Sequence, residues 1–349
     1  MLKICYFGNY DPNYSRNRIL IDGLKKNGVA VIECNDLSPG WKKFWRLFLK
    51  HRRLNEDYQL MLVGFPGQSV MPLAKLISKK PVVFDAFLSF YEMVVADRRL
   101  YSPFHPRAWY YWLLDWLSCH LADQVLLDTS AHIDYFVKTF GLSSKKIKRI
   151  FVGADDKVFS PRSPAAETGL IKVHFHGSYI PLQGVEYIIK AAKLLEKEPI
   201  IFNLIGRGQT YDEIISLARS LSIKNVNFIP TVSLEELAQF IAQSQICLGI
   251  FGNTPKTQRV IPNKVYQCLA MKKPVISADT PAIRELFNEQ EIFLVPTADA
   301  EALAAAIRRL IKDRELREQL AFNGFEKFIK SVTPEILGRS LLADISPFL

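Results

Sequence analysis

Residues 259–279 read RVIPNKVYQCLAMKKPVISAD. A basic, proline-interrupted loop carrying Arg259 and Lys264 leads into a short helix predicted from Asn263 to Met271, with Asn263 as its N-cap. A buried apolar strand, PVIS (274–277), follows at once. The free N–H groups and the dipole of a helix start favour negative charge, and fixed cations beside them add to that preference. Gln267 stands one turn further along the same helix. The stretch therefore predicts a seat for a phosphorylated ligand with a hydroxylated body.

Working outward, the second half alternates strand and helix. Strands are predicted at 171–175, 200–205, 226–229, 246–250, 275–277 and 292–295, with helices at about 184–196, 211–221, 234–243, 263–271 and 299–312. From 313 onward the chain reads as helical except near Thr333 and Pro334. The first half alternates likewise. KICYF (3–7) reads as a strand, GNYDPNYSRN (8–17) opens as a loop, and a helix capped by Ser15 runs to about Lys26. Further strands fall at 29–33, 59–63, 81–85, 124–128 and 147–152. Such alternation predicts parallel sheets covered on both faces. The stretch FVGADDKVFSPRSPAAETGL (151–170) lacks periodicity and reads as a linker. The predicted fold class is α/β with two Rossmann-like domains, 1–160 and 161–330, and a C-terminal helix over 331–349.

A chain of 349 residues is long enough for two domains. At 49% hydrophobic and 23% charged it has the composition of a folded globular protein. No run reaches the roughly 18 apolar residues of a membrane span, and MLKICYFGNY lacks the charged-then-apolar form of a signal peptide. The five cysteines are scattered, which fits reduced thiols and a cytoplasmic location. Net charge is +10. Residues 1–160 hold 23 lysines and arginines against 15 acids, and the remainder holds 22 against 20. The basic field therefore sits in the first half, which suits an anionic membrane surface, a phosphorylated acceptor or nucleic acid.

WKKFWRLFLKHRR (41–53) has six lysines and arginines and no acid. As a helix it gathers Trp41, Phe44, Trp45, Phe48 and Leu49 on one face, and Lys42, Lys43, Arg46 and Lys50 on the other. That is the pattern of an interfacial helix on an anionic membrane, at the inner face of which the protein would be peripheral. The alternative is an amphipathic helix packed on its own sheet. A second aromatic cluster, Trp109, Tyr110, Tyr111, Trp112 and Trp116, is apolar almost all round and reads as core or domain interface. No nucleic-acid recognition motif accompanies these aromatics, so nucleic acid is not expected as a partner.

Several turns are candidate ligand contacts. Gly8 ends the first strand, where open α/β sheets bind ligands. Asp85 ends the apolar strand PVVFD and is expected at the same edge, to orient a sugar hydroxyl, serve as a base, or cap the next segment. HFHGSYIPLQG (174–184) and LIGRGQTYDE (204–213) are both strand, glycine-bounded loop, helix. They offer Gly177 and Ser178, then Gly206 and Arg207. His174 and His176 alternate on their strand and belong to the core or to the ligand side. A complete G-x-G-x-x-G and a Walker pattern are missing, which argues against a nicotinamide, flavin or P-loop site. No metal-ligand spacing stands out, and no metal or cofactor is expected.

In order along the chain, these segments resemble the retaining GT-B glycosyltransferases, the large family that includes glycogen- and mannosyl-transferase-like enzymes. FVGADDKVFSP is similar to its inter-domain segment, HFHGSYIPLQGVEYIIKAAKLL to its "GR…KG" unit, LIGRGQTYDEI to its "IGDGP" turn, and FIPTVSLEELAQFIAQSQICLGIF to the unit that follows. The stretch 259–279 falls on the family's paired-glutamate motif. The resemblance implies two Rossmann-like domains facing a cleft, with the C-terminal helix packing back on the first. It implies transfer of a sugar from a UDP- or GDP-linked donor, with retention, to a glycan or lipid-linked acceptor. The chain departs from the family where the two glutamates are expected, since Arg259 and Gln267 stand there. Ser178 and Gln183 replace the loop's phosphate-binding Arg and Lys. The expectation is relocation. Lys264, Arg207 and Arg259 neutralise the diphosphate, the helix start at Asn263, Lys264 and Val265 assists, and Gln267 bonds a ribose hydroxyl. Asp85, Arg207 and Lys264 are the expected catalytic residues. A degenerate nucleotide-sugar-binding protein, or a nucleotide-sugar epimerase of the same architecture, is the alternative.

Overall fold

The computed structural model describes residues 1–55, 57–162 and 169–349. The centre of the expected linker, 163–168, lies outside the described residues. The chain divides into two compact units, Met1–Gly153 with Val332–Leu349, and Ala154–Ser331. The first division thus falls after Gly153 rather than after 160. Gly153, with φ +71°, lies close against Val332, whose carbonyl oxygen a Cβ there would meet at 2.5 Å. Residues 154–160 go with the second unit.

Unit 1 runs β1 (Lys3–Gly8), α1 (Ser15–Lys26), β2 (Ala30–Asn35), α2 (Lys42–Arg53), β3 (Leu60–Val63), α3 (Met71–Ile77), β4 (Val82–Phe87), α4 (Phe90–Glu92), α5 (Pro106–Leu121), β5 (Gln124–Leu127), α6 (Ser130–Phe140) and β6 (Ile147–Arg149). Its parallel sheet has the order β2-β1-β3-β4-β5-β6. Period-2 alternation sends Cys5 and Phe7 into a core shared with Leu47 of α2, Met71 and Ala74 of α3, Cys119 of α5 and Phe136 of α6. Those helices form one layer. Tyr6 faces the other way and bonds Asn17 of α1 at 3.0 Å. There α1 packs on α14 (Pro334–Ile345), so the C-terminal segment belongs to unit 1.

Unit 2 runs β7 (Ile171–His176), α7 (Val185–Leu194), β8 (Ile200–Ile205), α8 (Tyr211–Ser220), β9 (Val226–Ile229), α9 (Leu234–Ala242), β10 (Ile246–Leu248), α10 (Asn263–Ala270), β11 (Val275–Ala278), α11 (Pro281–Arg284), β12 (Phe293–Val295), α12 (Ala300–Lys312) and α13 (Arg314–Ser331). Its parallel sheet has the order β12-β11-β10-β7-β8-β9. Counted from its own first strand, this is the dinucleotide-fold order 3-2-1-4-5-6. Strand order reverses between β7 and β10, and such a switch point opens a crevice outside the strand ends. The two strand-dense units make the fold α/β with two Rossmann-like domains.

Two predicted caps differ. Tyr14, not Ser15, holds the cap position of α1, and no side chain bonds the free N–H groups there. Pro262 precedes α10 at φ −71°, so Asn263 is already inside the helix and caps nothing. Proline's fixed φ sets the helix entry in place of a side-chain bond.

Candidate functional site

The C-terminal edge of the unit 2 sheet collects the predicted donor residues. Gly177 follows β7 at φ +149°, and Gly206 follows β8 at φ +124°. A Cβ on Gly206 would lie 2.2 Å from the Gly177 carbonyl oxygen, so only glycine permits the two loops to touch. Ser178 is exposed beside them. Arg207 is exposed and lies over the Tyr211 ring at 5.1 Å. His176, Gly177, Ser178, Arg207, Thr231 and Leu237 line part of a pocket of about 250 Å³.

Lys264 enters this edge from the first turn of α10. It is 4% exposed, and its ammonium bonds the Gln183 side-chain oxygen. A Cβ on Gly177 would sit 3.1 Å from Lys264 Nζ. The Phe175 ring lies 4.1 Å beneath it. Among the described residues no carboxylate pairs with this lysine. Burial pushes it down to about 7, with the Cys268 thiol acting weakly the other way. Gln183 and Lys264 are 81 residues apart, and neither position alone announces the other. The ammonium reaches the loop position where the family resemblance implies a lysine, and Gln183 holds it there.

Gln267 is 7% exposed, and its side-chain oxygen lies 2.8 Å from His176 Nε2. His176 Nδ1 in turn lies 2.8 Å from His174 Nε2. Burial pushes His176 down to about 3 and His174 well below its usual range, helped by the nearby Lys264 charge. Both rings are therefore neutral at pH 7. The amide oxygen must accept, so Nε2–H of His176 donates to it, and Nε2–H of His174 donates to His176 Nδ1. His174 Nδ1 is then a bare acceptor, and it is indeed buried without a partner. The relay fixes the Gln267 amide with its oxygen engaged and its NH₂ available. His176 and Gln183 join the site as functional candidates that only the fold brings to Gln267 and Lys264; in the sequence the visible signal is the alternation of His174 and His176.

Other predicted donor residues are placed differently. Arg259 is half-buried at the end of a short 3₁₀ turn, Pro255–Arg259. Val265 is fully buried and its N–H bonds the Pro262 carbonyl at 3.0 Å, so it offers nothing to a ligand. Asn263, partly buried, stands at the helix start.

In unit 1, Gly8 ends β1 at φ +153°. Asp85, expected at the ligand edge, is instead fully buried. Arg16, equally buried, grips it from Nε at 3.0 Å and from NH2 at 2.8 Å. The same guanidinium donates to the carbonyls of Ile150 at 2.6 Å and Phe151 at 2.9 Å. Asp85 ties β4 to α1 and to the chain beyond β6, and with both oxygens held it is not a base. Nearby, buried His132 bonds Asp128 at 2.7 Å and Glu92 at 2.9 Å. Burial disfavours its charge, but the two carboxylates win and raise it to about 9.

Helix α2 splits its faces differently from expectation. Leu47 and His51 anchor it. Trp41 is 74% and Trp45 58% exposed, while Phe44 and Phe48 are half-buried. Lys43 turns inward to Ser69 Oγ at 3.2 Å, whereas Lys42 and Arg46 remain exposed. Helix α5, expected in the core or at a domain interface, buries Ala108, Asp115, Ser118 and Cys119. Its Trp109, Tyr110 and Leu113 are 59%, 58% and 52% exposed. A helix on one sheet face can bury only one stripe, so a helix apolar all round must show the rest.

Residues 156–327, nearly the whole of unit 2, match the model for glycosyl transferases group 1. The second unit belongs to this glycosyltransferase family. Over 341 aligned residues it is 23% identical to the chitobiosyldiphosphodolichol beta-mannosyltransferase of Kluyveromyces lactis, covering 87% of this chain and 74% of that one. It is 24% identical to the MMP alpha-(1->4)-mannosyltransferase of Mycolicibacterium hassiacum, over 59% of this chain and 50% of that one. Among solved structures, Anabaena HepE in complex with UDP superposes with a TM-score of 0.75 at 15% identity, covering 99% of this chain and all of that one. The sucrose-phosphate synthase of Thermosynechococcus elongatus gives 0.77 at 15% identity, covering 99% of each. At such identities these likenesses speak to fold, and the fold is that of the GT-B glycosyltransferases.

Proposed function

We propose that the chain is a retaining, metal-independent glycosyltransferase that moves a sugar from a UDP- or GDP-linked donor to a lipid-linked or membrane-presented glycan. It works as a peripheral protein on the inner face of a membrane. One observation carries the donor assignment: Lys264 is a buried cation without a carboxylate, held by Gln183 over Gly177 at the strand edge. A buried, unpaired cation is expensive unless an anion completes it. A diphosphate supplies that anion, with Arg207 and Arg259 as further cations.

In the reaction the bond from the sugar's anomeric carbon to the diphosphate breaks, and its electron pair leaves with the nucleotide. The acceptor oxygen bonds to the same carbon and passes its proton to the departing diphosphate oxygen. Negative charge grows on the departing phosphate, so cations fixed beforehand at that place lower the barrier. In this scheme Lys264 does the work that a metal ion does elsewhere. The Gln267 NH₂, its oxygen tied to His176, donates to a ribose oxygen. The acceptor class is supported by the diphosphodolichol in the name of the K. lactis relative. The names of the relatives include both beta- and alpha-linked products, so the product's anomeric proton signal is the measurement that decides retention.

A thermal-shift panel of UDP-, GDP- and ADP-sugars tests the donor. A ligand at about 100 times its dissociation constant adds about 2.7 kcal/mol of stability. Lys264→Ala is expected to lose about 100-fold or more in donor turnover while remaining folded by circular dichroism. Unchanged turnover would sink the assignment. A second reading, a sugar-nucleotide-binding protein without catalysis, draws on Arg259 and Gln267 standing at the glutamate positions. Donor binding without hydrolysis or transfer identifies it.

A further inference from the structure

The exposed apolar side chains of unit 1 are concentrated on one layer. On α2 they are Trp41, Trp45 and Leu49; on α3, Leu76 at 83%; before and on α5, Phe104 at 88% with Trp109, Tyr110 and Leu113. These helices are neighbours, since α3 packs on both α2 and α5 and all three share the core beneath. Between α2 and α3 lies a groove of about 380 Å³ lined by Phe48, Arg52, Leu76 and Ile77. The apolar surface is thus continued from α2 to α3.

Cations outnumber acids on this layer, whose surface carboxylates include Asp134 on α6 and Asp123, paired with Lys75 of α3 at 2.8 Å. Among described residues 37–55 and 58–122, the four carboxylates are Asp85, Glu92, Asp97 and Asp115, and all are buried. The same residues expose ten lysines and arginines, among them Lys42, Arg46, Arg53, Lys80, Arg99 and Arg107. Exposed tryptophan and tyrosine beside a large excess of cations match the headgroup region of an anionic bilayer.

We propose that Phe104, Trp109, Tyr110 and Leu113 form a second membrane anchor, which inserts into an anionic lipid surface alongside α2. The proposal rests on the membrane reading of α2 but is separable from it. Two anchors on adjacent helices lay the α2–α3–α5 layer along the bilayer, where one helix alone leaves the unit free to pivot.

The test is flotation of the full chain with phosphatidylcholine vesicles, with and without about a third anionic phosphatidylglycerol. The proteins compared are wild type, Trp41→Ser/Trp45→Ser, and Phe104→Ser/Trp109→Ser/Leu113→Ser, each checked for unchanged thermal unfolding. The mutated side chains are exposed, so the variants keep their cores. The α5 variant is expected to lose about tenfold or more in affinity for anionic vesicles, because binding scales with inserted apolar area. Wild-type affinity in that variant overturns the second anchor and leaves the α2 reading untouched. A loss confined to the α5 variant keeps the anchor and removes α2. Equal binding to neutral vesicles overturns the proposal. So does the absence of vesicle binding, including where the same side chains instead mediate dimerisation seen by light scattering.

Discussion

Units 1 and 2 end their first strands in the same way, at Gly8 and Gly177 with φ near +150°, yet they treat buried charge oppositely. Unit 1 holds two fully buried ion clusters, beside an Asp115 that rests on hydrogen bonds from Ser89 Oγ and the Tyr91 N–H. Arg16 saturates Asp85, and His132 lies between Asp128 and Glu92. Unit 2 buries Lys264 against an amide oxygen and an aromatic ring, with two neutral histidines beside it. A buried charge with its partner in place is a strut. A buried cation kept near neutrality, with no acid nearby, suits an incoming anion. The contrast divides the buried ionisable groups into framework and site.

The sharpest way to break the comparison is to unpair the strut. Arg16→Met leaves Asp85 as an uncompensated buried charge and orphans the carbonyls of Ile150 and Phe151. A loss of about 3–5 kcal/mol is expected by urea unfolding, enough to leave little folded unit 1. A loss below about 1 kcal/mol would mean that the pair is not a strut and that Asp85 is open to another role.

The second effect is smaller and carries a sign. His132, raised to about 9, keeps a proton that the unfolded chain gives up near 6.5. Its contribution is complete below about pH 6.5 and fades as pH rises towards 9. Lys264, lowered to about 7, has lost a proton that the unfolded chain keeps to about 10.4, so its contribution grows over the same interval. Each slope is about 1.4 kcal/mol per pH unit, and they oppose. Asp115, raised to about 7 by burial, has mostly ionised before this window. Between pH 7.5 and 8.5 the buried thiols of Cys5, Cys119 and Cys268, raised above their usual range, also draw stability down, so each variant is read against the wild type in urea. Relative to the wild type, His132→Gln should become more stable as pH rises, and Lys264→Met less stable. If both variants follow the wild type, neither group titrates as the geometry implies.

What the sequence discloses follows from range. Strand positions come from runs of four to six residues, and the alternation with helices is local, so the two-sheet architecture is visible from the chain alone. The stretch 259–279 likewise yields α10 and β11. Strut and site alike are built from distant partners: Arg16 with Asp85 in the strut, and in the site Gln183 with Lys264 and His176 with Gln267 at a separation of 91 residues. Asp85 looks like a ligand residue because it stands late in an apolar strand. Only the fold brings Arg16 onto it. Helix α5 misleads for another reason. Its composition says buried all round, but a helix lying on a sheet has one inward stripe, and the excess aromatic surface has to face outward.

The smallest expected effect bears on the unit 2 half of the comparison. In Gln267→Glu the new carboxylate meets His176 Nε2 at the 2.8 Å position now held by the amide oxygen. An acid there favours the imidazolium, so His176 should rise from about 3, opposed by burial and by Lys264. The fold has little reason to change, because hydrogen-bond geometry is preserved. What changes is the bond offered to the ligand. An amide gives a hydrogen to a ribose oxygen, whereas a carboxylate takes one from a ribose hydroxyl. A single neutral hydrogen bond is worth about 0.5–1.5 kcal/mol net, so donor affinity should move less than about 13-fold. The larger consequence is a switch in discrimination. With the amide, a donor carrying 2′-methoxy in place of 2′-hydroxyl still presents an oxygen and keeps part of its affinity. With the carboxylate, that donor has no hydrogen to give and loses it. If both proteins rank the two donors alike, Gln267 does not touch the ribose, and the histidine relay behind it serves only the core.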